Sequence, residues 1–411
     1  MSLLPGSTRH ARGRNELDAI VVGAGAAGGA LALALARDGF EVAVVEAREP
    51  APWHAEDEVD LRVVALAPDA RALLDDIGAW PAIASARIGP YRQMHVWDAL
   101  APGSLHFDAA EQGETALGWI VENKLVQHAL WQALASEASV RVMCPAEVEA
   151  IDDGTDAVTA TLADGTRLRA KVLVSAEGAE SSVRAKLGIA FAGRDYGQRA
   201  VVAHVATERP HEGTAWQRFQ PGGPLAFLPL ADGRCSIVWS LPDAEATRIL
   251  ALDDEAFRAE LGCAFDFRLG EITATTKRAA FPLRLRLANR FVHGRCALAG
   301  DAAHVVHPLA GQGMNLAFRD VRSLRRVLGA ARARGSDIGA AHVLRRYERE
   351  RRSESTVAAY GLDAIGRVYG SSQGPVASLR GLALRCANAP FTRSLLLGMA
   401  TGRFRTIGEI A

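Results

Sequence analysis

Three glycines set close together behind an apolar run, Gly23, Gly25 and Gly28 after residues 19–22, have a type and spacing that could do chemistry. Gly23 permits a tight turn, Gly25 lets a phosphate approach the backbone, and Gly28 lets a helix pack closely on the preceding strand. The small-residue stretch that follows, 30–36, is strongly helix-forming. With Ala26 and Ala27 in its first turn, it would aim its free N-terminal amides at that anion. Gly39 reads as the stop of this helix and residues 41–45 as a returning strand. Glu46 stands at the end of that strand with Ala47 beside it, where a carboxylate can accept from both hydroxyls of an adenosine ribose. A lone glycine pattern would also suit an ordinary packing turn; strand, turn, helix and acid in this order argue for a dinucleotide.

A second constellation lies nearly three hundred residues on. Residues 297–299 are strand-like and run into Gly300 and Asp301, so the carboxylate projects from a strand end, where it can bond the hydroxyls of a ribityl chain. Pro308, Gly311 and Gly313 then shape a loop before a helix that starts near Met314 and Asn315. The amides of that helix N-terminus favour an anion by ~0.3–1 kcal/mol at exposed sites, and a reduced isoalloxazine is such an anion. Taken singly, Asp301 would be a strand-end cap and the two glycines a plain loop. His304 and His307 flank the loop, either as proton carriers or as satisfied structural histidines. No Ser-His-Asp or paired-carboxylate set has a persuasive spacing, so no catalytic side chain is assigned, and no metal-ligand spacing occurs.

The elements that must position these residues are bounded by composition. A chain of 411 residues, 49% hydrophobic, suits an enzyme-sized body of two or three units with a buried core. Lys plus Arg and Asp plus Glu balance at 47 each, which argues against a nucleic-acid partner. Five cysteines without CxxC spacing suit neither a disulfide framework nor a zinc site and point to a reduced, cytoplasmic compartment. The first 17 residues carry arginines without the apolar core of a secretory signal and read as a disordered tail. No run reaches the ~18 apolar residues of a spanning helix. Alternating strands separated by Gly, Pro and Asp turns occupy roughly 191–281, and the chain after Asp301 is helical.

The run from Gly300 to Asp320, Gly-Asp-Ala-Ala-His-Val-Val-His-Pro-Leu-Ala-Gly-Gln-Gly-Met-Asn-Leu-Ala-Phe-Arg-Asp, resembles the FAD motif of class A flavoprotein aromatic hydroxylases, the p-hydroxybenzoate hydroxylase-like proteins. Within them it is most similar to the ubiquinone-biosynthesis hydroxylases. Four further segments carry the likeness: Asp60-Leu-Arg62 with Ala65-Leu66, Leu117-Gly-Trp-Ile-Val-Glu-Asn123, Trp216-Gln-Arg-Phe219 and Gly223-Pro-Leu-Ala-Phe-Leu-Pro-Leu230. The resemblance implies an α/β fold: a Rossmann-like FAD-binding domain with an inserted antiparallel β-sheet substrate domain and a C-terminal helical segment. The expected parts are 18–75, 109–190 and 283–345 for FAD, 76–108 and 191–282 for substrate, and 346–411 for the closing helices.

The same resemblance implies that Arg62 and Asn123 contact FAD. It sets Asp301 near the ribityl and pyrophosphate region and residues 311–315 at the isoalloxazine edge, with Gln217, Phe219, Phe227 and Pro229 on the substrate side. The activity it implies is hydroxylation of a (poly)prenylated phenol in ubiquinone biosynthesis, with O2 and a flavin C4a-hydroperoxide. NADH or NADPH serves as a transient reductant, since no second glycine fingerprint follows. A hydroxylase of a small soluble aromatic and a non-catalytic FAD-binding subunit of a biosynthetic complex remain as alternatives; the Trp-x-Trp-x-Ile-Pro signature of tryptophan halogenases is absent. One departure is clear: where the family usually has Gly-Ala-Asp-Gly-Ala-Asn-Ser, this chain has Ser175-Ala-Glu-Gly-Ala-Glu-Ser181, so Glu177 and Glu180 replace an aspartate and an asparagine. The basic, leucine-rich stretch 376–404 suits peripheral contact with the inner face of a membrane, or packing on the catalytic body, a second copy or another subunit.

Overall fold

The computed structural model describes residues 17–307 and 311–370, together with residues 398 and 402. Pro308, the 376–404 stretch apart from those two positions, and the N-terminal tail up to residue 16 lie outside the described residues; Leu17 is already the first residue of a strand.

The chain opens on β1 (Leu17–Val22), turns through Gly23 into α1 (Ala26–Arg37) and returns as β2 (Val42–Val45). After a polar loop come β3 (Val63–Leu66), α2 (Pro68–Asp76), α3 (Trp80–Ala84), β4 (Ile88–Tyr91), β5 (Gln93–Asp98), β6 (Ser104–Asp108), β7 (Gly118–Glu122) and α4 (Asn123–Ser136). Then follow β8 (Val140–Met143), β9 (Val148–Asp153), β10 (Val158–Leu162), β11 (Arg167–Ser175) and α5 (Ser182–Lys186). The inserted layer is β12 (Phe191–Thr207), β13 (Thr214–Phe219), β14 (Leu225–Pro229), β15 (Cys235–Pro242), α6 (Asp243–Ala251), α7 (Asp254–Ala264), β16 (Ile272–Thr275) and β17 (Ala279–Ala288). The chain closes with β18 (Val292–His293), β19 (Cys296–Leu298), β20 (His304–Val305), α8 (Gln312–Ala333) and α9 (Ala341–Gly370).

Among the described residues these strands form three sheets. In the first, β19, β11, β1, β2 and β8 lie side by side and parallel. Parallel strands covered on both faces are apolar throughout, and every residue of β1 and β2 is buried. Helix α1 is nearly all alanine, glycine and leucine because it lies in the core; Leu31, Leu33 and Leu35 are buried, each contributing about 1.5–3 kcal/mol relative to exposure.

The second sheet has the order β20-β17-β12-β15-β14-β13-β5-β6 and is antiparallel except where β5 joins β13. One of its faces packs Val201, Ile237 and Trp239 against α6 and α7; on the other, Leu228 packs against a small third sheet and Phe219 against Tyr369 of α9. The small sheet β3-β7-β4 packs Ala65 and Ile120 against Leu228 and Leu230 at β14 of the second sheet. The α/β architecture with an inserted antiparallel layer and helical closure is therefore as expected. Among the described residues no helix is long and apolar enough to cross a membrane.

Candidate active site

The three N-terminal glycines separate by what surrounds them. Gly23 has φ +96°, a conformation that costs glycine nothing, and a Cβ there would meet the Ala176 carbonyl oxygen at 2.6 Å. A Cβ at Gly28 would lie 1.8 Å from the Gly23 carbonyl oxygen, so α1 can approach β1 only without one. Gly25, by contrast, caps α1 and faces open space, with nothing within 4 Å of where its Cβ would be. Two glycines close the turn and the third leaves room for an anion at the helix N-terminus, where Ala26 and Ala27 are half-buried. The Glu46 carboxylate follows β2 and accepts from the Ala24 amide at 2.5 Å and the Arg48 amide at 3.1 Å, which fixes it beside the loop; Ala47 is exposed.

The second constellation meets the first. Gly300 has φ +62°, and its Cβ would sit 3.1 Å from the Ala27 side chain and 3.4 Å from Ala317, so α1, the Gly-Asp turn and α8 converge there. Asp301 is exposed and makes no hydrogen bond among the described residues. Surrounding protein nevertheless raises its carboxyl above the ordinary aspartate range, against the pull of His304 and Arg62, as expected for a group lining an open concavity. Gly311, φ +62°, caps α8 and packs against Ala65, whereas Gly313 one residue into the helix faces open space. Met314 packs against the main core. Asn315 is buried and holds both ends of a strand terminus: its Nδ2 donates to the Ala65 carbonyl and its Oδ1 accepts from the Ala67 amide, each at 2.9 Å.

Arg62 is exposed, with its guanidinium 5.5 Å from the Phe281 ring of the second sheet. The Asn123 amide donates to the Arg62 carbonyl at 2.9 Å, so these two residues are neighbours. The substrate-side residues do not all gather. Gln217 and Phe219 share one face of β13, where Phe219 stacks on Tyr369 at 4.3 Å. Phe227 pairs with Trp216, which puts it on the opposite face, stacked on Phe265 at 3.7 Å beneath α7. Pro229, two residues along the same strand and opposite Cys235, follows Phe227. No group of three His, Cys, Asp or Glu side chains could hold a metal among the described residues.

The profile of the FAD binding domain family matches residues 16–359, most of the chain. The chain belongs to this family of flavoprotein monooxygenases. It is 38% identical over 367 residues to 3-demethoxyubiquinol 3-hydroxylase of Escherichia coli, covering 89% of this chain and 93% of that protein. Ubiquinone hydroxylase UbiL of Rhodospirillum rubrum is also 38% identical over 367 residues, covering 89% and 85%. The crystal structure of p-nitrophenol 4-monooxygenase PnpA from Pseudomonas putida shares the fold with a TM-score of 0.73 at 21% identity, over 95% of this chain and 100% of that one.

FAD fits the residues of this flavoprotein monooxygenase: two open glycines, Gly25 and Gly313, stand at two helix N-termini, and the free Asp301 carboxylate lies in the turn beside α1 and α8. The departure from the family pattern has a physical explanation. Glu177 accepts from Ser181 Oγ at 2.6 Å, Ser182 Oγ at 2.9 Å and the Val183 amide at 3.0 Å in the first turn of α5, and it also takes Ser175 Oγ of β11 at 3.0 Å. Glu180 accepts from Arg286 of β17 at 2.8 Å, tying this turn to the second sheet.

Two side chains that sequence reasoning passed over hold the site in place. Glu122, buried at the end of β7, accepts from Trp53 Nε1, the Asp60 amide and Arg87, and so pins the loop that leads to Arg62. Asp320, fully buried, accepts from the Gly300 amide at 2.8 Å, bonds His304 Nε2 at 2.7 Å and takes Arg351 Nε of α9 at 2.7 Å. His304 is thus a satisfied structural histidine. A carboxylate closing an otherwise apolar strand, and an acid ending the motif one turn after Leu316, were the available signals.

Proposed function

We propose that this flavoprotein monooxygenase hydroxylates a polyprenylated phenol of ubiquinone biosynthesis, with NADH or NADPH as reductant and O2 as the oxygen source. The observation that carries the reading is identity along nearly the whole chain to two ubiquinone hydroxylases. It is supported by the face of the second sheet opposite α6 and α7, which carries Ala200, Ala226 and Val238 with a few polar groups, Gln217, Ser236 and Ser240, among them.

The chemistry FAD supplies when bound is acceptance of a hydride and activation of O2 for insertion of one oxygen atom. In this reading the amides around Gly25 take the pyrophosphate, Glu46 the ribose and Asp301 the ribityl chain. The α8 N-terminus beyond Gly311 offers amides and a positive dipole end to negative charge on the ring system. Arg62 and Asn123 flank the flavin from the small sheet, and Gln217 and Phe219 face the substrate. The second sheet keeps water away from the reacting atoms. On this reading 18–75, 109–190 and 283–345 serve the cofactor and 76–108 with 191–282 the substrate; β5 joining β13 supports it for β5 and β6, whereas α3 and β4 within 76–108 pack with the main core and β7.

The test is anaerobic bleaching of the bound flavin by NADH and NADPH, with and without a short-chain prenylphenol, followed by oxygen. Reduction hastened by the phenol and a hydroxylated phenol on admitting oxygen support the reading; reduction and product only with small unprenylated aromatics would replace it. The proposal extends to a membrane surface at the C-terminal end, supported by exposed Val357, Tyr360, Ile365 and Val368 along α9, ahead of the basic leucine-rich stretch. Flotation with anionic vesicles by the full chain, lost on truncation after residue 370, checks that part.

A further inference from the structure

The peptide of Asp60 is held from both sides by side chains that come from different sheets. Its amide donates to Glu122 Oε2 of β7 at 2.7 Å, and its carbonyl lies 3.1 Å from His204 Nε2 of β12. Its carboxylate accepts from the Arg62 amide at 3.1 Å, and the Arg62 carbonyl accepts from the Asn123 amide at 2.9 Å. Residues 60–62 are thus fixed at the backbone, while the Arg62 side chain is exposed. Glu122 is a near neighbour, because β3, which continues this segment, pairs with β7. His204 comes from the inserted layer, 144 residues further on.

The His204 donor stands on a rigid base. Its side chain is buried, and its backbone is bonded twice to Thr276: the His204 amide donates to Thr276 Oγ1 at 3.0 Å, and the Thr276 amide donates to the His204 carbonyl at 2.9 Å. A carbonyl oxygen only accepts, so Nε2 carries the proton. Burial pushes the imidazole below its ordinary range, against the pull of the Asp60 and Val59 carbonyls that face it. Near pH 7 the ring is therefore neutral and acts as a hydrogen-bond donor, without a charge of its own.

Two further contacts run the same way. Alternation along β12 puts His204 on one face with Ala200 and Val202, and Ala200 pairs with Phe281 of β17, whose ring lies 5.5 Å from the Arg62 guanidinium. Arg234, in the turn between β14 and β15, lies 3.8 Å from the Glu58 carboxylate, a weak tie because Glu58 is exposed. Residues 58–62 therefore run along the face of the second sheet opposite α6 and α7, and the buried bond among these ties is the one from His204. From there the charge of Arg62 is felt at Asp301 in the cofactor turn.

We infer that His204 is a positioning residue: by donating to the Asp60 carbonyl it sets the place of Arg62 beside the flavin from the substrate sheet. The inference rests on the reading above that Arg62 flanks FAD, and adds what holds Arg62 there. It makes the seating of the second sheet and the grip on the flavin one property of the molecule.

The experiment measures FAD dissociation from the holoprotein and anaerobic flavin reduction by NADH for wild type, His204→Gln, His204→Asn, Arg62→Gln and the double variant Arg62→Gln with His204→Asn. Both replacements of His204 are neutral amides, but only glutamine is long enough to bring an N–H donor to where the imidazole Nε2 stands. His204→Asn is expected to weaken FAD binding roughly tenfold and to slow flavin reduction with it, while His204→Gln stays within about threefold of wild type. The double variant matches Arg62→Gln alone within about twofold, because the two residues act in series. His204→Leu, similar in volume and apolar, takes the place of His204→Asn should the shorter amide fold poorly, with the same expected losses. Equal losses in His204→Gln and His204→Asn, or a His204→Asn loss that adds in full to that of Arg62→Gln, make His204 a packing residue and overturn the inference. Arg62→Gln that loses FAD while His204→Asn does not sinks the inference alone; Arg62→Gln that holds FAD as wild type does sinks the flavin reading of Arg62 and the inference with it.

Discussion

The two glycine loops that meet at Gly300 are held by different means. The first is closed by backbone on backbone: Gly23 against Ala176 and Gly28 against Gly23, with Glu46 accepting the Ala24 amide. The second is held by buried side chains sent from elsewhere, Asp320 on the Gly300 amide and Asn315 across Ala65 and Ala67, with Arg351 of α9 behind Asp320. Steric closure needs only the right small residues in order. Closure by side chains needs partners that arrive from distant parts of the chain, and it places charge in the core.

The contrast predicts unequal responses to substitution. Asp320→Asn has the largest expected effect: it leaves the buried Arg351 guanidinium with Glu354 as its one charged partner and weakens the hold on Gly300 and His304, costing about 3 kcal/mol, read as a lower melting temperature with FAD released early in the transition. The pH dependence follows from the same group. His304 and Arg351 hold the Asp320 carboxyl below the ordinary aspartate value despite burial. Its contribution is complete above the unfolded value of about 3.9 and is lost as pH falls below it toward the lowered one. Acid unfolding of the wild type thus includes a step that Asp320→Asn lacks, and equal acid profiles would count against it.

Gly28→Ala comes next. The new methyl must displace the Gly23 carbonyl, with an expected loss of about 1–3 kcal/mol in the flavin-free protein as well as the holoprotein, by denaturant titration. Gly25→Ala has the smallest effect on folding, under about 0.5 kcal/mol without flavin, since nothing occupies the space its methyl enters. It should still weaken FAD binding at least roughly tenfold, because that space is where the pyrophosphate belongs. A Gly25→Ala protein that binds FAD normally would remove the distinction between closing and opening glycines.

What the sequence disclosed follows this division. The roles of Gly23, Gly25 and Gly28 and the strand-end position of Glu46 are local backbone facts, set by residues a few positions apart. Asp320 gave no comparable sign, because its meaning depends on Arg351, brought close only when α9 packs on α8. Gln217 and Phe219 were grouped with Phe227 and Pro229 for a similar reason: which face a strand residue takes depends on its pairing, and the register Trp216 to Phe227 turns the two pairs away from each other. Glu177 and Glu180 read as departures until Ser182, Val183 and Arg286 were seen to receive them.

The tie from Arg351 to Asp320 also sets an order of events during synthesis. The first strand, loop and helix leave the ribosome early, but the Gly-Asp turn is not braced until the arginine of the last described helix has emerged and packed. A nascent chain, or one cut short before residue 351, carries a buried carboxylate without its cation and cannot grip the flavin firmly. Retained yellow colour is in this sense a sign that synthesis and packing have reached residue 351.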